Sequence, residues 1–464
     1  VNEILFASAL EMAELIKQKK ISVTEVVTAH LAQIDSLNPI YNAIVERNDE
    51  AALKAAELAD KALTKGGNFG PLYGVPMTIK DCIEVQGMLR TEGTLGLAQN
   101  RSKKTATAVA RLQAAGAILL GKTNQPEFGM AYETDNLIYG RTNNPYDVSR
   151  TPGGSSGGEA TAITTGCSAF GLGGDYGGSV RLPAHFCGIA AIKPSAGVVP
   201  RTGHDSFRGP IVGPSLVIGP MARRIDDLEA ILKVIAGCDW RDPLVIFNQP
   251  LSPALSLNQL RVAFYTDNGI SKVDADTQRI VESVIKSLTP VVQTMQEGRP
   301  DGTELALEIF NRMVWTLFTA SSKAIFDHQG TSQISPLVEG LIKMMPTHQP
   351  NIEDQRKSQF ATLALQYAAI PFLNDVDIII SPVCSFPAVK HGTTMQPEIW
   401  AAFSYAMIYN LLGWPSVVVR AGSSKEGLPI NVQISARPFM DLNALNVARF
   451  IEQEFGGWQP PPLM

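Results

Sequence analysis

The chain has 464 residues, 45% hydrophobic and 18% charged, with a net charge of −5. This composition suits a soluble globular chain with a sizeable core; without a basic cluster, nucleic-acid binding is not expected. No run of about 18 apolar residues predicts a membrane span, and residues 1–6 lack the basic-then-apolar pattern of a secretory signal. Five scattered cysteines (Cys82, Cys167, Cys187, Cys238 and Cys384) form no C-x-x-C pair. Neither a disulfide framework nor a zinc site is expected, and a reducing, cytoplasmic setting fits.

In chain order, residues 7–38 read as helix. Ser22-Val23-Thr24-Glu25 is a capping-box pattern, and Val26, Val27, His30, Leu31 and Ile34 recur at helical spacing. An alanine-rich helix over Asp49–Lys65 closes at Gly66-Gly67. Residues 75–79 predict a buried strand with Lys80 at its end, followed by Asp81 and Cys82 rather than by a run of charges. A desolvated lysine loses proton affinity and can serve as a base near neutral pH. Residues 105–115 predict a helix and 117–120 a strand, with 122–128 as loop. Helix and strand alternate through this half, which argues for an α/β architecture.

The stretch 151–183 reads TPGGSSGGEATAITTGCSAFGLGGDYGGSVRLP and carries two glycine-flanked serines, Ser155 and Ser179. Gly/Ser-rich segments are commonly linkers. Here, however, the glycines are interleaved with a helical segment at 159–165 and an apolar strand at 168–173. Both serines are therefore expected at element ends, where hydroxyls and free N–H groups can face one cleft. Gly153-Gly154-Ser155-Ser156-Gly157 also fits the G-x-S-x-G elbow, but that motif needs a strand directly before it, and 143–152 reads as loop. The elbow also needs a histidine, and His204, His328, His348 and His391 have no telling context.

A strand over 189–192 follows, then a Gly/Pro-rich loop over 195–220 and a helix over 225–236. Residues 249–258 read as a connector, 261–265 as strand and 277–288 as helix. Residues 303–370 are mostly helical, with an apolar set that includes Phe310, Trp315 and Met344. A strand at 377–382, helix at 398–412, hairpin at 416–420 and 430–435, and closing helix at 443–455 complete the chain.

Lys80, Ser155 and Ser179 invite a joint role. A serine hydroxyl is a weak nucleophile until a base takes its proton, and Ser–Lys versions of the triad logic exist. A second serine can carry the proton between lysine and nucleophile. The N–H groups of Tyr176, Gly177 and Gly178, beside Ser179, can bind a developing oxyanion. Unaided chemistry thus points to serine acyl transfer.

These residues resemble the amidase signature family, through GVPMTIKD at 74–81, GGSSGG at 153–158 and DYGGSVRLPA at 175–184, with the serines 24 positions apart. The likeness extends through GRTNNPYDVSRTPGGSSGGE, FCGIAAIKP, VIGPMARRIDDLEAIL, DVDIIISPV and LLGWPSVVV. It implies a Ser–cis-Ser–Lys triad: Ser179 as nucleophile, Ser155 as bridging serine entered through a cis peptide after Gly154, and Lys80 as base. Tyr176, Gly177, Gly178 and Ser179 would supply backbone oxyanion donors, with Ser156, Asp175 and Arg181 in support. The implied fold is a single α/β/α sandwich around a large mixed, twisted sheet. One domain would span 1–464, with N-terminal helices over 7–65, a catalytic core over about 70–245 and a variable, substrate-facing helical region over about 303–370.

The implied activity is hydrolysis of a small-molecule amide without cofactor or metal, with a homodimer as candidate assembly. Two alternatives stand beside it: the glutaminase subunit of a tRNA-dependent amidotransferase, and a biosynthetic acyltransferase with an amine acceptor. Glu159 after GGSSGG resembles the fatty-amide-hydrolase and acetamidase side of the family. Tyr176 departs from the smaller threonine or isoleucine more usual there, which bears on the acyl pocket rather than on the chemistry.

Overall fold

A computed structural model describes residues 2–67, 69–204, 215–245 and 251–462. Within them one sheet of eleven strands runs through the molecule. The strands are β1 (Ile44–Arg47), β2 (Pro76–Lys80), β3 (Ile118–Thr123), β4 (Phe170–Asp175), β5 (Ala190–Lys193), β6 (Val217–Ala222), β7 (Arg261–Phe264), β8 (Thr294–Glu297), β9 (Ile378–Pro382), β10 (Ser416–Ser423) and β11 (Pro429–Ala436). Their order is β1-β3-β2-β4-β6-β5-β10-β11-β9-β7-β8. β2 runs parallel to β3 and β4, and β7 parallel to β8 and β9; the remaining pairs are antiparallel, so the sheet is mixed.

Successive strand residues point to opposite faces, and both faces here are buried. Val417 and Val419 enter one core while Val418 enters the other; Ile378 and Ile380 part from Ile379 in the same way. Helices cover both faces, giving an α/β/α sandwich. On one side lie Val23–Tyr41, Ile225–Ile235 and Asp441–Phe455, and on the other Arg181–Cys187 and Ser404–Leu411.

Local departures from the sequence expectations have clear causes. The helix expected over 7–38 is two helices, Ala9–Lys17 and Val23–Tyr41. Lys19 takes a left-handed φ of 58°, and the Ser22–Glu25 capping box starts a new helix. β3 continues through Lys122 and Thr123, where loop is expected. The buried Lys122 ammonium is satisfied by the carbonyls of Asp81, Ile83 and Leu89 at 2.9, 2.7 and 3.2 Å. β6 occupies part of the segment expected as Gly/Pro loop. β5 pairs only with its last two residues, Met221 and Ala222, and Pro220 pairs with Leu172 of β4 on the other side. Residues 205–214 of that loop, and the start of the 249–258 connector, lie outside the described residues.

Two buried polar side chains fasten the layers. Arg223 donates to the carbonyls of Ile163, Ser168, Leu5 and Ala7 at 2.8–3.0 Å, tying the N-terminus to the serine stretch. Glu159, on the helix Gly157–Thr164, accepts the hydroxyls of Thr78 from β2 and Thr123 from β3. Burial pushes Glu159 up to about 7, against the opposing pull of the two threonines, Lys80 and Lys122.

We predict that Arg223→Leu, which strands four carbonyls, destabilises the fold by at least about 3 kcal/mol, seen as a lowered Tm. The Glu159 proton gives a pH signature. The folded state keeps this proton between pH 4.5 and about 7, where the unfolded chain loses it. Stability therefore falls as pH rises through that window. In Glu159→Gln this contribution disappears, which Tm measured against pH will report.

Candidate active site

Strand alternation sets the direction of Lys80. Met77 and Ile79 enter the core on one face of the sheet. Thr78 points the other way, to Glu159, and Lys80, two residues on, shares that face. Its Nζ donates to Ser155 Oγ at 2.6 Å, with both side chains buried. The peptide bond from Gly154 into Ser155 is cis. Gly154 packs on the backbone of residues 131–133, where a Cβ would come within 2.5–2.8 Å of three main-chain atoms; only glycine fits. Ser179 immediately precedes Val180 and the helix Arg181–Cys187. The Ser156 N–H donates to the Ser179 carbonyl at 3.1 Å, joining the two serine turns. Lys80, Ser155 and Ser179 line one cleft.

Asp175, the last residue of β4, organises the turn that follows. Its Oδ1 accepts the Gly178 N–H at 2.8 Å and its Oδ2 the Val180 N–H at 3.1 Å. Arg181 answers with Nε and Nη2, each at 3.0 Å, and both side chains are fully buried. Asn410 Nδ2 donates to Asp175 Oδ1 at 2.9 Å, and Arg181 Nη1 to Gln433 Oε1 at 2.7 Å. Burial alone would raise the Asp175 pKa; the Arg181 guanidinium more than reverses this and holds the carboxyl well below the usual carboxylate range.

The structure differs from the sequence reading at one position. The Gly178 N–H, expected in the oxyanion hole, is taken up by Asp175. Among the described residues the N–H groups of Gly177 and Ser179 have no partner, and both residues line the cleft. The Ser156 hydroxyl is buried with no partner among the described residues, so Ser156 joins the turns through its backbone alone.

Ser179 stands where two clefts meet. One is polar, bounded by Lys80, Cys82, Arg90, Glu92, Gln125 and His204. The other is apolar, bounded by Met130, Tyr132, Phe310, Val314, Leu341 and Trp400. The apolar side leads to a wider cleft of about 430 Å³, which shares Val314, Leu341 and Trp400 and adds Trp315 and Met344. Sequence reasoning gives no role to His204 or Tyr132. His204 Nε2 lies 3.8 Å from Cys82 Sγ, whose thiol is pushed up to about 11 by burial. Tyr132 donates its hydroxyl to the Gly177 carbonyl at 2.8 Å. Tyr132 sits in no periodic or glycine-rich context that would mark it, and His204, in the Gly/Pro-rich loop, has no neighbours that set it apart.

Known proteins resemble this chain in family and in fold. The chain is 32% identical over 496 aligned residues to fatty-acid amide hydrolase 2 of Homo sapiens, covering 99% of this chain and 91% of that protein. It is 31% identical over 479 aligned residues to a glutamyl-tRNA(Gln) amidotransferase subunit of Carboxydothermus hydrogenoformans, covering 97% and 98%. In fold it is similar to 6-aminohexanoate cyclic dimer hydrolase complexed with substrate, with a TM-score of 0.87 over 99% of both chains at 24% identity. The family model described as Amidase matches residues 25–445, and the chain belongs to the amidase signature family, whose members include amide-hydrolysing enzymes.

Proposed function

We propose that this chain hydrolyses a carboxamide through an acyl ester on Ser179 Oγ. The observation that carries this reading is the buried 2.6 Å bond between Lys80 Nζ and Ser155 Oγ, in the cleft that Ser179 lines. Lys80 enters the step as the free amine. It takes the Ser155 proton as Ser155 takes that of Ser179, and Ser179 Oγ bonds the amide carbon. The carbonyl oxygen becomes an oxyanion beside the N–H groups of Gly177 and Ser179, with Tyr176 adjoining. The relay returns the proton through Ser155 to the amide nitrogen, the C–N bond breaks, and ammonia or an amine leaves. Water, deprotonated by the same relay, then attacks the ester carbon; Ser179 regains its proton and the acid departs.

The acyl group lies on the apolar side of Ser179 and the leaving amine on the polar side. Phe310, Val314, Trp315 and Leu341 support this placement; all four come from the helical region expected to face substrate. Five unpaired cysteines support a reducing, cytoplasmic setting. Among the described residues no helix is long and apolar enough to cross a membrane.

A second reading, a glutaminase that passes ammonia to a partner protein, rests on the 31% identity to the amidotransferase component. The apolar lining beside Ser179 favours an acyl group less polar than that of glutamine. An amine acceptor in place of water would make the chain an acyltransferase, which product analysis with added amines separates from hydrolysis.

The test is ammonia and amine release by the purified chain across aliphatic, aryl and long-chain amides and glutamine. Turnover on an apolar acyl class is expected, abolished in Ser179→Ala. Lys80→Ala and Ser155→Ala are each expected to lower kcat by about 10³-fold or more. A near-normal rate in either would sink the relay. Glutamine turnover that requires an added protein would instead favour the second reading.

A further inference from the structure

We propose that Tyr132 is a positioning residue: its hydroxyl and the Asp175 carboxylate clamp the Gly177–Gly178 peptide from opposite ends, so that the flanking N–H groups of Gly177 and Ser179 meet the developing oxyanion. The inference rests on the acyl-Ser179 reading above.

A peptide unit is planar, so holding its carbonyl and its N–H fixes its plane. Here the Gly177 carbonyl accepts the Tyr132 hydroxyl at 2.8 Å, and the Gly178 N–H donates to Asp175 Oδ1 at 2.8 Å. The clamp matters because two consecutive glycines are the least restrained backbone the chain can offer. Glycine is nonetheless required at both positions. A Cβ on Gly177 would lie 2.5 Å from Phe310 Cζ and 2.7 Å from the Tyr132 hydroxyl, and Gly178 has a φ of +115°. The turn thus gains its close fit by giving up its own stiffness, and Tyr132 and Asp175 restore it from outside.

Tyr132 is well placed to do so. It is 4% exposed, and its ring packs 4.4 Å from that of Phe403 and 5.0 Å from that of Trp400, centroid to centroid. The residues after it are anchored as well. Glu133 accepts the Gly392 N–H at 2.8 Å and meets His391 Nδ1 at 3.2 Å. The Thr134 hydroxyl donates to the Gly153 carbonyl at 2.8 Å and accepts the Gly157 N–H at 3.1 Å. Residues 132–134 therefore brace both serine turns, one through Tyr132 and the other through Thr134. The Tyr132 ring also lines the apolar cleft, so the residue that sets the donors touches the space assigned to the acyl group.

Tyr132→Phe keeps the ring and removes one hydroxyl. The expected result is a kcat about tenfold to a hundredfold lower, with KM within about threefold of wild type. A trifluoromethyl ketone that mimics the tetrahedral state should weaken by the same factor as kcat/KM. The acid limb of the pH–rate profile should not move, because Lys80 and Ser155 are untouched. A merely structural role would lower Tm without this matched loss. Titration of Ser179 with a fluorophosphonate normalises each rate to folded sites, so incomplete folding does not obscure the comparison. A kcat within about twofold of wild type, or a loss confined to KM, overturns the proposal for Tyr132 alone. A wild-type chain that neither hydrolyses an amide nor takes up the fluorophosphonate overturns the acyl-Ser179 reading and this inference with it.

Discussion

A buried ion pair, Asp175 with Arg181, turns a glycine-rich run into a defined surface. Two charges out of water are stable only when geometry and further hydrogen bonds offset their lost hydration, and removing one partner of such a pair costs about 3–5 kcal/mol. Here Asp175 is bonded to Arg181, to Asn410 and to the N–H groups of Gly178 and Val180. Arg181 in turn reaches Gln433 on β11 and Asn410 on the helix Ser404–Leu411. The turn that carries Ser179 is thus held by strands and helices from the far end of the chain. The same bonds take up the Gly178 N–H, while Gly177 and Ser179, whose N–H groups have no partner among the described residues, line the cleft.

Close packing does the complementary work for the other serine. The helix Gly157–Thr164 lies so near β4 that a Cβ on Gly171 would be 1.9 Å from Glu159 Oε1, and one on Gly173 2.5 Å from Ser156 Oγ. Interiors packed to crystal density leave no slack for an extra methyl there. Two alternate glycines on one strand face therefore admit the helix, and the helix brings Ser155 to the strand end where Lys80 emerges. The Thr78–Glu159–Thr123 bonds fix that helix across β2 and β3. The Lys80–Ser155 bond is a consequence of sheet periodicity and helix clearance together.

The two sides of Ser179 differ in chemistry, although Gly129 and Tyr176 line both. The polar wall is built by residues near β2 and β3, with His204 beside them. The apolar wall joins Met130 and Tyr132 to Trp400 and to Phe310, Val314 and Leu341 of the helices Ala306–Gln329 and Pro336–Lys343. A family can keep one catalytic floor and exchange such helices to change its acyl group, since fold and chemistry do not dictate the substrate.

Much of the architecture is legible in the sequence. Apolar runs bounded by glycine or proline place most of the strands, the Ser22–Glu25 pattern marks a helix start, and the glycine-flanked serines with an isolated lysine carry the family resemblance. Short strands without their own signal, β1, β6 and β8, are not legible, because their pairing energy comes from neighbours distant in sequence. Lys122 and Thr123 resemble loop because a buried ammonium is explained only by the three carbonyls that the fold gathers around it. What the sequence by itself determined is the family, the alternation of elements and which side chains carry reactive groups, since these depend on local pattern and residue type. That Asp175 takes the Gly178 N–H, that the Tyr132 hydroxyl meets the Gly177 carbonyl and that His204 lines the cleft were decided only by tertiary structure. Hydrogen-bond partners are chosen by proximity in space, and no local pattern records which distant group will take a given N–H.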